Sequence, residues 1–213
     1  MKIISDFMGL TRLEWKVLEY VDKKELNVIP EDLRNQLTPE MLKFTLEELQ
    51  DKGFVELIGS EYVLTRKAKE LFKKRERSRE VIIAWGHPEI TANSVERIEI
   101  TKGEETRGKD SIIGVKANKA CVDLNDTLKE YLKLGAKVRI VISVTGEEDE
   151  ILAHGSPALK LTSKESIAIE KTDQIAEDSI AILSNKSAKG LKKSLKKLLK
   201  DPHNKIEITI ELI

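Results

Sequence analysis

The 213-residue chain carries 37 Lys and Arg against 37 Asp and Glu, so its formal net charge is zero. This balance excludes a globally basic, histone-like binder but leaves local charged patches open. The charged fraction of 35%, mostly Lys and Glu, is typical of a thermophile, although a mesophilic protein with a charge-rich surface would have the same composition. Cys121 alone cannot form an internal disulfide, and no run reaches the roughly 18 apolar residues of a membrane span. We therefore expect a soluble, cytoplasmic protein with no membrane partner.

Residues 1–65 predict three helices followed by a two-stranded hairpin. Thr11 begins the first helix as an N-cap, and Glu14 completes a capping box. The second helix is PEDLRNQL, from Pro30, and the third begins at Thr38-Pro39 and ends at Gly53. FVELI and YVLT then alternate and join through Gly59-Ser60, as a hairpin does. This order resembles the winged helix-turn-helix domains of archaeal and bacterial regulators, which implies that fold.

The third helix would lie in the DNA major groove of such a domain, where Arg, Lys, Asn and Gln are expected. Residues 38–53 instead hold four acidic residues against two lysines. Their net negative charge works against phosphate neutralisation. An exposed Phe44 among these carboxylates would favour protein contact. Because winged helices serve both purposes, duplex recognition and protein interaction both stay open.

Residues 66–80 predict a basic connector helix with eight basic residues against three acidic ones. Such a helix could anchor phosphates or an acidic partner, or it could be a solvated linker. The candidate nucleic-acid contacts here are Arg66, Lys67, Lys73, Lys74, Arg75 and Arg77.

Residues 81–213 predict a duplicated domain, because residues 98–144 return as residues 167–212. The matches include Asp110-Ser111-Ile112 with Asp178-Ser179-Ile180, Asn118-Lys119 with Asn185-Lys186, and Leu124, Leu128 and Leu132 with Leu191, Leu195 and Leu199. Each copy reads β-β-α-β, with a helix over 119–135 in the first copy and an extra strand pair, EILAHG and ALKLT, between the copies. We expect an α+β fold in which the copies pack around a pseudo-two-fold axis, as a sheet or half-barrel covered by two helices.

The segments GHPEI (86–90), IEITK (98–102), RGKDSIIGVKANKACVDL (107–124) and GSPALKL (155–161) resemble an archaeal family of unknown function. That family's motif runs RGD-C-IIGV-x-A-D-K-A-C-x-D-L, preceded by a His-Pro-Asn segment and a second His. The resemblance covers about residues 81–213 and implies an archaeal origin without an established activity. Lys109 is inserted, Ser111 stands for a Cys, Asn118 stands for an Asp, and Asn93-Ser94 stand where the second His would lie.

A candidate polar or anion site comprises His87, Arg107, Asp110, Asn118, Lys119 and Asp123. A His with two Asp residues could hold a metal or move protons, but the spacing matches no metal signature. Asn118 and Asn185 are more simply explained as helix N-caps, and a Lys beside a helix N-terminus could hold an anion. We expect no metal, no cofactor and no catalytic residue, and we expect Cys121 to be a buried hydrophobe.

The two predicted helices differ most in charge. The second carries a lysine on every turn with no acid before Asp201, which favours a surface that faces phosphates, although a solvated thermophile helix would look alike. Its candidate contacts are Lys189, Lys192, Lys193, Lys196 and Lys197. The leading hypothesis is a non-enzymatic nucleic-acid-associated protein, either a transcription regulator or a ribosome- or RNA-associated factor. A protein-interaction module or homodimer is the alternative, and an enzyme or small-anion binder at the strand-helix turns is the third.

Overall fold

A computed structural model describes residues 10–23, 37–76, 78–106 and 110–213. The chain divides into two compact units, Met1–Arg75 and Glu76–Ile213. Within the described residues the fold is mixed α+β, with five α-helices and three sheets. Most of the predicted second helix (30–36), together with Arg77, Arg107 and the side chains of Lys74 and Arg75, lies outside that description.

The described residues of the first unit form three helices and one hairpin. They are α1 (Arg12–Lys23), α2 (Pro39–Asp51), β1 (Val55–Ile58), β2 (Glu61–Leu64) and α3 (Arg66–Glu76). The Thr11 N–H donates to Glu14 Oε2 at 2.7 Å and the Glu14 N–H donates to Thr11 Oγ1 at 3.3 Å, so the predicted capping box is confirmed. Helix α3 ends at Glu76, and Glu80 belongs to the next strand rather than to the predicted 66–80 helix.

The second unit contains eight strands and two α-helices. They are β3 (Glu80–Trp85), β4 (Arg97–Thr101), β5 (Ile112–Gly114), α4 (Asp126–Lys133), β6 (Lys137–Val144), β7 (Glu147–His154), β8 (Ser166–Glu170), β9 (Ser179–Ala181), α5 (Lys193–Leu198) and β10 (Lys205–Leu212). One sheet has the antiparallel order β3-β10-β6-β7 and the other has the order β5-β4-β8-β9, with parallel pairs at both edges.

The hydrophobic core of the second unit is one buried cluster that includes residues of both sheets and of helices α4 and α5. Strand β6, KVRIVISV, alternates as a half-buried strand should, with Val138, Ile140, Ile142 and Val144 all buried. Single-residue bridges join the sheet edges on both sides, Trp85 with Val115 and His154 with Ile182. The eight strands therefore form a closed ring rather than one open sheet or a half-barrel.

Two glycines allow the chain to pass close to a neighbouring backbone directly after β3 and β7. A Cβ on Gly86 would lie 2.1 Å from the carbonyl oxygen of Asp201, and one on Gly155 would lie 2.1 Å from that of Leu132. Real Cβ atoms never approach a backbone oxygen so closely, so only glycine fits either position.

Two sequence-based expectations about local structure are wrong. The segment ALKLT is not a strand, because Leu161 has a φ of 58°, which breaks the extended conformation. The predicted strand EILAHG is part of a longer strand, β7, which begins at Glu147 immediately after the Thr145-Gly146 turn. Strand β7 pairs with β6 rather than with ALKLT. The predicted helix over 119–135 consists of a 3₁₀ turn, Cys121–Asp123, followed by α4. In the described part of the chain, no helix is long and apolar enough to cross a bilayer.

Candidate nucleic-acid interface

Asn118 and Asn185 were expected to cap helices, but they extend the edges of strands instead. Asn118 exchanges two hydrogen bonds with Ile83 on β3, through its own N–H (2.9 Å) and its side-chain Oδ1 (2.8 Å). Asn185 makes the same pair of bonds with Leu152 on β7, at 2.9 and 3.0 Å. The cap of α4 is Asn125, which lies seven residues further along the chain and whose Oδ1 accepts from its third helical N–H.

The strand-helix turn at Lys119 already holds a carboxylate of the chain itself. Glu80 on β3 accepts from Lys119 Nζ and, through its other oxygen, from the Asn125 N–H at 2.8 Å. Burial alone would raise the pKa of Glu80, but the hydrogen bonds from Lys119 and Asn125 outweigh it and hold that pKa below its usual value. An external anion would have to displace Glu80 from this turn.

The turn at Lys186 is built in the same way. Asp149 on β7 is 2% exposed, and its carboxylate accepts from Lys186 Nζ and from the Lys192 N–H at 2.8 Å. Burial would raise the pKa of Asp149, but these bonds lower it overall. At both turns an acidic side chain of the chain itself occupies the position that an anion would take. The Asn-Lys pairs that pointed to these turns in the sequence therefore reflect ion pairs within the fold.

Of the remaining predicted polar residues, the side chains of His87 and Asp123 have local partners. His87 Nδ1 accepts from the Glu89 N–H at 3.2 Å, and Asp123 pairs with Lys102 at 2.6 Å. The backbone carbonyl of Asp110 accepts from the N–H groups of the loop after β3. Among the described residues, no group of three or more His, Cys, Asp or Glu is arranged to hold a metal ion.

A charged cluster that the sequence reasoning missed lies across strands β4 and β8. Arg97 pairs with Asp178 at 2.6 Å, with Glu170 at 3.5 Å and with Glu99 at 3.9 Å. Ser111, Ser166 and Ser179 each donate to one of these carboxylates. Burial raises the pKa of Glu170 above its usual value.

The thiol of Cys121 lies close to this cluster and contacts backbone carbonyls of Ser166 (3.3 Å) and Asp178 (3.2 Å). It is fully buried, and burial together with the Asp178 charge raises its pKa to about 12. A thiol of this kind is a poor nucleophile, as expected for a small hydrophobic residue.

The basic residues of α3 are partly engaged within the first unit. Lys67 Nζ donates to the Lys52 carbonyl at 2.7 Å and lies 4.1 Å from the centre of the Phe54 ring. Lys73 pairs with Glu70 at 3.4 Å, and Arg66 is exposed. Helix α3 therefore presents fewer unpaired charges than its sequence indicates.

The lysines of α5 form a cluster instead of ion pairs. Lys196 is partly buried and its Nζ donates to Asn93 Oδ1 at 3.1 Å. Burial and the neighbouring charges of Lys189, Lys200 and Lys193 lower its pKa. The side chains of Lys189, Lys193 and Lys200 are exposed, and no hydrogen bond or ion pair joins them to another described residue. We call Lys189, Lys193, Lys196 and Lys200 the lysine face of α5.

The loop after β3 runs beside this face. The Lys189 N–H donates to the Ser94 carbonyl at 2.9 Å, and the His87 N–H donates to the Leu199 carbonyl at 2.9 Å. Lys192 points elsewhere, because its Nζ donates to the Glu148 carbonyl at 2.7 Å. Among the predicted lysines, Lys189, Lys193 and Lys196 thus lie together, while Lys192 is occupied.

Helix α4 provides an internal comparison for α5. Counted from the N-caps Asn125 and Lys192, Lys129 occupies the place of Lys196. Lys129 Nζ is satisfied by the Val122 carbonyl at 2.8 Å and by Asp126 at 3.7 Å. Residues 122–133 carry three acids and two lysines, whereas residues 189–200 carry six lysines and no acid. Two similar helices therefore differ by seven charge units.

A family model described as "Domain of unknown function (DUF371)" matches residues 82–213 of this chain. The chain belongs to this family. The "Uncharacterized protein MJ0206" of the archaeon Methanocaldococcus jannaschii is 33% identical over 122 residues, which cover 57% of this chain and 90% of that protein. The predicted membership of an archaeal family of unknown function is thereby confirmed at the level of the family, whereas its motif stays a prediction.

The DUF371 region begins inside β3 and extends past β10, so it includes α5, its lysine face and the Arg97 cluster. Helices α1, α2 and α3 precede the DUF371 match.

Proposed function

We propose that this DUF371 protein binds phosphate-bearing polymers, either structured RNA or duplex DNA, through the lysine face of α5. The observation that carries the proposal is the cluster of lysines without counter-ions in a chain whose other lysines often pair with acids. Phosphate groups would supply the missing negative charge and release condensed counter-ions. The role is binding rather than catalysis.

The same proposal includes two assignments of fold. Helices α1 and α2 with the β1–β2 hairpin support a winged helix-turn-helix domain in residues 1–65, followed by the basic connector. The matched bonds of Asn118 and Asn185, and the palindromic strand orders, support a duplication with a pseudo-two-fold axis. In this duplication the first copy begins at β3 and the second at β7. The repeat found in the sequence begins one strand later, in β4 and β8.

The proposed duplication also changes one sequence match. The Glu99 N–H bonds the Ser111 carbonyl at 2.9 Å, and the Ala168 N–H bonds the Asp178 carbonyl at 2.7 Å. Ser111 therefore corresponds to Asp178, one residue away from the match made on the sequence. This shift explains why Asp178, which pairs with Arg97, has a serine rather than an acidic residue as its counterpart in the first copy.

A charge-exchange variant tests the proposal. Lys193→Asp with Lys197→Glu places the residues of α4, Asp126 and Glu130, at the corresponding positions of α5. Because α4 already accommodates them, the fold should persist while four charge units are lost. We expect binding to mixed duplex DNA and structured RNA to weaken by about ten-fold or more at 50 mM salt, in a mobility-shift titration.

The control is Lys164→Asp with Lys137→Glu, which makes the same change in net charge at two exposed lysines. Lys137 pairs with His154, at the opposite end of β7 from Glu147, which Ser194 of α5 contacts. This variant should bind within about two-fold of the original chain. Raising the salt from 50 to 200 mM should weaken the original chain far more than the α5 variant. Equal loss in both variants, or no binding of the original chain at low salt, contradicts the proposal.

A further inference from the structure

Helix α2 presents an apolar pair that the described residues leave exposed. Phe44 is 60% exposed and Met41 is 45% exposed. They lie three residues apart, so they are neighbours on one side of the helix. Large apolar side chains are usually buried, and aromatic residues are enriched at the surfaces where proteins contact each other.

The backbone of α2 fixes this pair in place. Thr38 accepts from the Met41 N–H at 3.2 Å as N-cap, and the Thr45 hydroxyl donates to the Met41 carbonyl at 2.8 Å. Leu46 and Leu49 are buried on the other side. The exposed face is therefore part of a firmly packed helix.

Acidic residues border the apolar pair. Glu40, Glu47, Glu48 and Asp51 are all exposed. Hydrogen bonds from its own backbone N–H and from Thr38 lower the pKa of Glu40, so it stays ionised. Lys43 lies 4.0 Å from Glu47 with both side chains well exposed, and such a pair contributes little. The face thus combines an apolar centre with a negative rim.

We propose that the Met41–Phe44 face of α2 docks a protein segment in which Lys or Arg residues flank an apolar side chain. The apolar side chain covers Phe44 and Met41, and the basic residues meet the carboxylate rim. This is the usual anatomy of a helix-mediated protein contact, with a desolvated aromatic centre and charges around it. A duplex has negative phosphates at the positions where this rim requires positive charge.

The test uses the full chain and two labelled synthetic peptides. The first is a 15-residue helical peptide with Leu at two positions three residues apart, flanked by Lys on the same side. The second has the same composition in scrambled order. Fluorescence anisotropy at 50 mM salt should show the first peptide binding at least five-fold more tightly than the second.

Matched variants locate the contact. Phe44→Ala should weaken binding of the first peptide by at least five-fold, whereas Val95→Ala, at a valine that is 57% exposed in the second unit, should leave it unchanged. Glu47→Gln with Glu48→Gln should reduce the salt dependence. Because Phe44 is exposed, its variant should keep the melting temperature of the original chain.

Three results would overturn the inference. They are equal binding of both peptides, equal binding by the Phe44→Ala and Val95→Ala variants, and weaker duplex DNA binding by Phe44→Ala. The Lys193→Asp/Lys197→Glu variant should bind the peptide as the original chain does, so failure of the α5 proposal and failure of this one are distinguishable.

Discussion

Asp149 shows how a single buried carboxylate can connect distant parts of a sheet domain. It belongs to β7 yet accepts from the N–H of Lys192, the N-cap of α5, and from the ammonium group of Lys186. We expect Asp149→Asn to lower the free energy of unfolding by about 2–3 kcal/mol, because Asn removes the negative charge beside Lys186 and replaces one of the two acceptor oxygens with an NH₂ donor. Urea denaturation at pH 7 measures this loss.

The effect of Asp149→Asn should depend on pH in a defined direction. The pKa of Asp149 is lowered from its usual 3.8, so its contribution to stability is present above pH 3.8 and is lost as the pH falls below it. The difference between the original chain and the variant should therefore shrink in acid. The exposed neighbour Glu150 offers the control, since Glu150→Gln should cost little at any pH. A constant difference down to pH 2 would contradict this account.

Helix α5 begins with a cation where a helix favours an acceptor or a negative charge. Lys192 occupies its N-cap position without a side-chain capping bond, whereas the Asn125 side chain caps α4. Lys192→Asn should raise the free energy of unfolding by about 0.5–1 kcal/mol, because Asn can accept from the exposed N–H groups. Thermal and urea unfolding check the gain, and Asn125→Lys should produce a loss of similar size at α4. No gain for Lys192→Asn would show that α5 gains nothing from a side-chain cap.

Elements were predictable from sequence wherever the burial pattern is local. The capping box of α1 and the start of α2 at Thr38-Pro39 needed only neighbouring residues, and both predictions held. Nothing in the local sequence shows that Asp149 has its partner, Lys186, 37 residues away. The same reason hid the Arg97 cluster, whose members meet through strand pairing. The lysines of the α5 face were visible in the sequence because one short segment, residues 189–200, carries them all.

At the scale of the whole molecule, stability should divide between the two units. The second unit has its own core, and the relative from Methanocaldococcus jannaschii is nearly covered by a 122-residue match. We expect the fragment 76–213 to fold alone, with one cooperative thermal transition, and to bind nucleic acid with the affinity of the full chain. Loss of binding in a folded fragment would show that residues 1–75 contribute to the interface.

The pairing of β3 with β10 joins the first strand of the second unit to the last one that the ribosome makes. Strand β3 leaves the ribosome more than a hundred residues before β10 is made, yet β10 is its hydrogen-bonded neighbour in the sheet. Ile82 and Ala84, which are buried in the finished ring, stay uncovered during most of translation. We therefore expect the nascent second unit to stay incompletely folded until its last strand is made, and ribosomes stalled before β10 should hold it in a protease-sensitive state.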